Sequence, residues 1–135
     1  MKRAFFSLAL LLAVATLTAQ TKMTAREAAV KIADRILAST TYEFKNTKTG
    51  ETYKSVKKLP LDMDVKVACK YNNWHYTNGV TNMALMELGD KLGDKKYEKY
   101  VLKNMNFVFN EGNLDFFRKQ YDEAFKRDGW NAVRK

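Results

Sequence analysis

The side chains with the widest chemical scope lie in one run, NNWHYTNGV, at residues 72–80. It sets Trp74, the only histidine of the chain (His75) and Tyr76 between Asn73 and Asn78, with Gly79 following. A flat indole or phenol can stack on the apolar face of a sugar ring, and side-chain amides can hydrogen-bond the ring's hydroxyls. Each residue also has a plainer reading. Tryptophan and tyrosine often fill a core, a lone histidine is more often structural than a base, and Asn78 can be the N-cap of the helix that follows, with Gly79 allowing close approach. Their clustering at a helix start points instead to an anionic ligand, since free backbone amides and the helix dipole favour negative charge there.

Acid–base chemistry is not assembled in the same way. Glycoside chemistry requires two placed carboxyl groups, one of them commonly kept protonated. Asp62 and Asp64 lie two apart, which diverges on a helix and shares a face on a strand, and nothing around them marks either as buried. Glu87 and Asp90 fall opposite the apolar stripe of their helix, while Asp115, Asp122 and Glu123 read as helix-start and surface charges. No nucleophile triad, zinc spacing or phosphate loop is present. The sequence therefore predicts no catalytic residue, no metal ligand and no cofactor. Cys69, the single cysteine, cannot form an internal disulfide, and its neighbours Val65, Val67 and Ala68 suggest a small buried apolar residue.

The elements that must position this run are mainly helical. In MTAREAAVKIADRILAST, Thr24 with Glu27 three residues later forms a capping box, and Ala28, Ile32 and Ile36 share a stripe with Ala29, Ala33 and Leu37. Residues 41–56 are rich in threonine and aromatics around Thr49–Gly50, which predicts a short β-hairpin excursion, and Pro60 pushes Leu59 to an extended shape. After Gly79, Val80, Ala84 and Leu88 are expected to line the buried face of a helix, with Met83 and Leu92 beside them. Gly93 is a natural stop and Asp94 a natural N-cap, so a second helix with a stripe of Tyr97, Tyr100, Val101, Met105 and Val108 completes a helical hairpin. NEGN at 110–113 breaks the pattern. A further helix follows near Leu114–Lys126, apolar at Phe116, Phe117, Tyr121, Ala124 and Phe125, and Asp128–Gly129 ends it.

The first twenty residues have the layout of a secretory signal peptide. Lys2 and Arg3 precede an apolar run from Ala4 to Val14, too short for a membrane span, and small residues allow cleavage after Ala15 or after Ala19. An exported protein, periplasmic or extracellular, is expected, with no membrane span. Removing these residues lowers the net charge from +9 to +7. The lysines are scattered and interrupted by acids, a pattern that argues against a nucleic-acid partner. WNAVRK at 130–135 begins another segment and stops without a cap, so the chain reads as cut short.

The segment WHYTNGVTNMALMELGDKLGDKKYEKYV resembles the first inner-helix region of glycoside hydrolase families 88 and 105, the unsaturated glucuronyl and rhamnogalacturonyl hydrolases. Those families carry a Trp-x-Tyr-x-x-Gly-Val segment, an apolar helix, then Gly-Asp-x-x-Tyr-x-x-Tyr; the matching residues are Trp74, Tyr76, Gly79 and Val80, then Gly93, Asp94, Tyr97 and Tyr100. LDFFRKQYDEAFKRDGWNAVR is similar to an insertion found in some members. The resemblance runs from about Thr24 to the end.

It implies an all-α fold, the N-terminal part of an (α/α)6 six-hairpin barrel, with residues 21–135 as an incomplete portion of that domain. The implied substrate is an oligosaccharide bearing a 4,5-unsaturated uronic acid at its non-reducing end, cleaved by hydration of the vinyl ether and without a metal. Trp74, Tyr76 and Asn78 are the expected substrate contacts. The family's catalytic aspartates lie further along than this chain reaches, and no catalytic role is carried over to Asp115 or His75. The competing expectation is a small exported helical interaction module without catalysis.

Overall fold

A computed structural model describes residues 23–61 and 64–132. The expected signal peptide, Asp62 and the last three residues lie outside the described residues. The chain divides into two units, Met1–Lys31 and Ile32–Lys135, and the boundary falls inside the first helix.

That helix, α1, spans Ala25–Ser39. In the first unit its start is the expected capping box: the Thr24 amide and hydroxyl both donate to Glu27 Oε2, at 2.8 and 2.9 Å, and the Glu27 amide donates back to Thr24 Oγ1 at 3.2 Å. These bonds favour the charged carboxylate and hold Glu27 below the usual carboxylate range.

The second unit holds the rest of α1, three short strands and three more helices. β1 (Phe44–Asn46) pairs antiparallel with β2 (Thr52–Tyr53), and also with β3 (Val65–Val67), giving the order β2-β1-β3. The hairpin turn is made by Asn46, whose Oδ1 accepts from the amides of Lys48 and Thr49 at 2.9 and 3.1 Å, and by Gly50 at φ 81°. A φ of that sign is cheap only for glycine. The hairpin is as expected; the third strand is not, and the described fold is mostly helical with a small antiparallel sheet rather than all-α.

α2 (Tyr76–Leu92) and α3 (Lys95–Val108) form the predicted helical hairpin. Gly93, at φ 67°, closes α2 with its amide on Asp90 O, and Asp94 caps α3 by accepting from the Lys96 amide at 3.0 Å. α4 (Glu111–Asp128) starts after Asn110, whose Oδ1 accepts from the Gly112 and Asn113 amides, and a 3₁₀ turn, Gly129–Ala132, follows.

Two apolar clusters hold these elements. Ala33, Leu85, Tyr97, Tyr100 and Val101 form one, with Ile36, Leu37, Leu88 and Met105 packed against it. Phe44, Val56, Val65 and Phe116 form the other, between the sheet and α4, flanked by Phe107 and Phe117. Tyr97 is fully buried and its hydroxyl donates to Asp34 Oδ1 at 2.9 Å, while Lys96 Nζ sits 2.8 Å from the same oxygen. Lys96 and then Tyr97 hold the Asp34 carboxyl below its ordinary range, and burial raises the Tyr97 phenol.

The expected apolar face holds for α3 and only in part for α2, where Leu88 and Leu92 pack against the first cluster and the rest of the stripe does not. Val80 and Met83 are 61% and 73% exposed and Ala84 is exposed, whereas Asn78, Asn82, Leu85 and Gly89 are buried on the opposite side. Ile32 of α1 is likewise turned outward, the buried stripe there running through Ala33. The reason in α2 lies in its partners. Asn78 and Asn82 each find hydrogen bonds inside, and Gly89 allows α3 to come close: a Cβ there would stand 3.2 Å from Asp94 O and 3.3 Å from Tyr97 Cβ.

Candidate functional site

The first turn of α2 sets out the residues singled out from the sequence. His75, in extended conformation at φ −113°, is the N-cap, not Asn78. Its Nδ1 lies 2.8 Å from Thr77 Oγ1 and accepts from the Thr77 amide at 3.4 Å, which requires the ring proton on Nε2. A histidine serves here because the extended backbone brings its nearer ring nitrogen to where an aspartate oxygen would otherwise sit.

Asn78 lies in the first turn, is 8% exposed, and reaches back instead of outward. Its amide nitrogen donates to Lys70 O at 2.9 Å, Asn73 O at 3.0 Å and Asn73 Oδ1 at 2.6 Å. The side chain therefore holds residues 70–73 against the helix. It is first a clamp on the loop that presents Trp74.

Trp74 and Tyr76 are at the surface. Trp74 is 53% exposed, its ring inclined to Phe117 at 62° with centroids 5.6 Å apart, and Tyr76 is 79% exposed, its ring tilted over His75 at 5.0 Å. Neither fills a core. Exposed flat aromatics can stack on a ligand ring, and two stand within three residues.

Two clefts meet at Trp74. The larger, about 960 Å³, lies between β3 and α4 and is lined by Val65, Val67, Leu114, Phe117 and Tyr121, with Lys66, Arg118, Glu111 and Asp115 as charged members. The smaller, about 350 Å³, contains Trp74, His75, Tyr76 and Asn78 together with Asn72, Asn82 and Asn104. All three residues expected to touch substrate thus lie around one opening.

No known family, curated protein or solved structure matches this chain. Its chemistry is read from its own side chains.

Asp115 is paired with two cations. Lys119 Nζ lies 2.6 Å from one oxygen and Arg118 Nη2 2.8 Å from the other, and these cations, Lys119 first, hold the carboxyl below its ordinary range. Glu87 pairs with Lys91 at 2.9 Å and is exposed as expected, though on the same outward face as Val80 and Met83 rather than opposite them. Cys69 is buried and its sulfur accepts from the Tyr71 amide at 3.4 Å, in keeping with a structural role. Among the described residues, no three of the histidine, cysteine and acidic side chains are grouped to hold a metal, and no helix is long and apolar enough to cross a membrane.

Reading by residue type missed Asn72, Asn82 and Asn104. Asn104 donates to Tyr71 O and to Asn82 Oδ1, both at 3.1 Å, and Asn72 donates to Thr41 O at 2.7 Å. A signal was present: Asn78 and Asn82 stand four apart, on the same face of α2 as Leu85 and Gly89.

Proposed function

We propose that this chain is the N-terminal part of an exported hydrolase acting on oligosaccharides that end in a 4,5-unsaturated uronic acid, and that Trp74 and Tyr76 contact that sugar, with Asn78 in support. The observation that carries the reading is the presentation of Trp74 and Tyr76, both solvent-exposed, at the start of a helix. A ring flattened about its double bond suits an indole face, and a carboxylate beside it is favoured by the amide-rich positive end of α2. Asn78 acts indirectly, by fixing the loop that carries Trp74. The proton donor for vinyl ether hydration is assigned to no described residue.

In this reading α2 is an inner helix of an (α/α)6 barrel, and α2 with α3 is one of its hairpins. Support comes from the outward face of α2, where Tyr76, Val80 and Met83 stand at spacings of four and three residues and lie exposed. An inner barrel helix has neighbours on both sides, and apolar residues there are what such neighbours would cover.

The test is binding by the full chain of a lyase-generated unsaturated uronate disaccharide, followed by tryptophan fluorescence in a Trp130→Phe background so that Trp74 alone reports. Saturable quenching, abolished by Trp74→Ala and weakened by Tyr76→Ala, is the expected outcome. A flat titration would sink the assignment of these two rings.

The same outward face of α2 favours one second reading, a helical interaction module whose partner covers Val80 and Met83. Such a module melts cooperatively as a unit, whereas part of a barrel melts broadly.

A further inference from the structure

β3 is an edge strand, since the order β2-β1-β3 leaves one of its sides without a neighbouring strand. Which backbone groups face that side follows from the register. The Thr47 amide donates to Asp64 O and the Ala68 amide to Glu43 O, so residues 64, 66 and 68 turn their N–H and C=O toward β1. Val65 and Val67 turn theirs the other way. The Val65 carbonyl accepts from Gln120 Nε2 at 3.0 Å, a side chain of α4 standing where a fourth strand would bond. The N–H and C=O of Val67 point to the same side and have no partner among the described residues.

That side of β3 borders the larger cleft, which Val65, Val67 and Gln120 all line. A volume of about 960 Å³ is at the upper end for a small-molecule site. The α4 wall of the cleft runs from Glu111 to Tyr121, about 15 Å of helix, which is the length of about four or five extended residues. Leu114 and Phe117 give that wall an apolar surface. An unpaired strand edge beside an apolar groove is the arrangement in which an extended peptide adds as a further strand. Main-chain hydrogen bonds hold it, and alternate side chains enter the groove.

The outer face of the sheet sets the charge of that peptide. Lys45 and Lys66 are both exposed and stand directly opposite each other across β1 and β3, and neither is ion-paired among the described residues. Like charges so placed repel. Glu43 and Asp64 flank the pair along the strands and stand opposite neither lysine. A strand added beyond β3 sets one of its side chains next to Lys66 on this face, and an acidic one there offsets the repulsion.

We propose that the cleft between β3 and α4 is a docking groove for an extended peptide of a partner protein, added antiparallel to β3, with an apolar residue opposite Val67 and an acidic residue opposite Lys66. Antiparallel addition lets one peptide residue exchange both main-chain hydrogen bonds with Val67. The side chain of that residue falls on the same face of the sheet as the Val67 side chain, the face packed against Phe116 and Phe117 of α4. Pairing stops at Val65, whose carbonyl Gln120 already holds. The inference goes beyond the sugar reading and does not depend on it, because it uses β3 and α4 and not the first turn of α2.

The test uses the full chain labelled with ¹⁵N and follows the main-chain amide of Val67, by its signal position and its hydrogen-exchange rate. The probe is the peptide acetyl-Glu-Leu-Glu-Val-Thr-amide. One control carries a methyl group on the leucine nitrogen, which removes the donor to Val67 O, and another replaces both glutamates by lysine. The probe is expected to move the Val67 signal saturably and slow its exchange, with the methylated form at least about tenfold weaker, the scale of a main-chain hydrogen bond lost. The lysine form should bind about fivefold more weakly, and Lys66→Glu should reverse the order of the two charged peptides. No movement at Val67 overturns the groove. Equal binding of the methylated form overturns strand addition, and equal binding of the lysine form overturns the acidic requirement. Protection of Val67 that rises with chain concentration in the absence of peptide assigns the edge to a second copy and overturns the peptide. The unmodified chain carries the deciding readout, so an unfolded variant does not settle the matter.

Discussion

α2 and α3 are neighbours of similar length, joined through Gly93 and Asp94, and they bury opposite kinds of side chain. α3 turns Tyr97, Tyr100 and Val101 inward, with only Asn104 among them polar. α2 turns in Asn78, Asn82 and Gly89 with Leu85 as its one fully buried large apolar residue, Leu88 and Leu92 packing beside it, and leaves Val80 and Met83 outside. The two faces are held by different physics. On α3 the contribution is apolar area removed from water, which is non-directional and tolerant. On α2 it is directional hydrogen bonding and close backbone approach, which fail abruptly when one atom is misplaced. The directional half also contributes Asn78 and Asn82 to the lining of the smaller cleft.

The comparison can be broken most severely at Tyr97. It is fully buried in the apolar cluster, and Tyr97→Ala removes the ring together with the bond to Asp34. Loss of roughly 3–5 kcal/mol is expected, the usual range for a large buried aromatic, read as a lower denaturant midpoint. A loss under about 1 kcal/mol would mean that α3's ring does not organise the core. The amide side is probed by Asn104→Leu. The replacement is more apolar and fills similar space, yet it strips the donor from Tyr71 O and from Asn82 Oδ1. Destabilisation of about 2–3 kcal/mol is expected from two acceptors left buried and unpaired. If leucine instead stabilises, the amides are tolerated passengers and the two faces differ in composition alone.

Gly89→Ala tests close approach. Helix propensity alone would favour alanine by about 1 kcal/mol. Against it stand the carbonyl oxygen of Asp94 at 3.2 Å and the Cβ of buried Tyr97 at 3.3 Å, neither the end of a flexible side chain. Overpacking of this kind costs about 1–3 kcal/mol, so a net loss near 1 kcal/mol is expected from chemical denaturation. A net gain would show that α2 and α3 can part without cost.

These differences decide what the residues reveal in advance. Capping chemistry is legible because it is local: Thr24 with Glu27, Gly93 and Asp94 act on atoms within a few residues of themselves. The α3 face is legible because apolar periodicity marks the side that avoids water. The α2 face is not, since the same rule assigns Val80 to the core when it is Asn82 that is buried there. Its burial depends on Asn104, 22 residues away, which no short-range pattern reports. The third strand is hidden for a similar reason: Val65–Val67 is three residues long and exists through pairing with β1. At the site, Trp74 and Tyr76 stand out by type and are exposed, while the asparagines beneath them announce nothing until their partners are known.

The smallest expected effect is the sharpest on what α2 is for. Val80→Thr combined with Met83→Gln replaces two exposed apolar side chains by polar ones of similar size, at positions that take no part in either apolar cluster. Both lie on the helix face opposite Leu85 and Gly89, so the packing against α3 is untouched. For the chain by itself the change in unfolding free energy should stay within about 0.5 kcal/mol, as for surface positions elsewhere. Solubility should rise, because an exposed apolar strip favours self-association and removing it takes away the contact. A loss well beyond that range would mean that Val80 or Met83 is covered within the chain itself, and the contrast between the two helices would collapse. Indifference in stability joined to a change in association would show that the apolar side of α2 faces outward for a neighbour, as an inner barrel helix or a partner-binding helix requires.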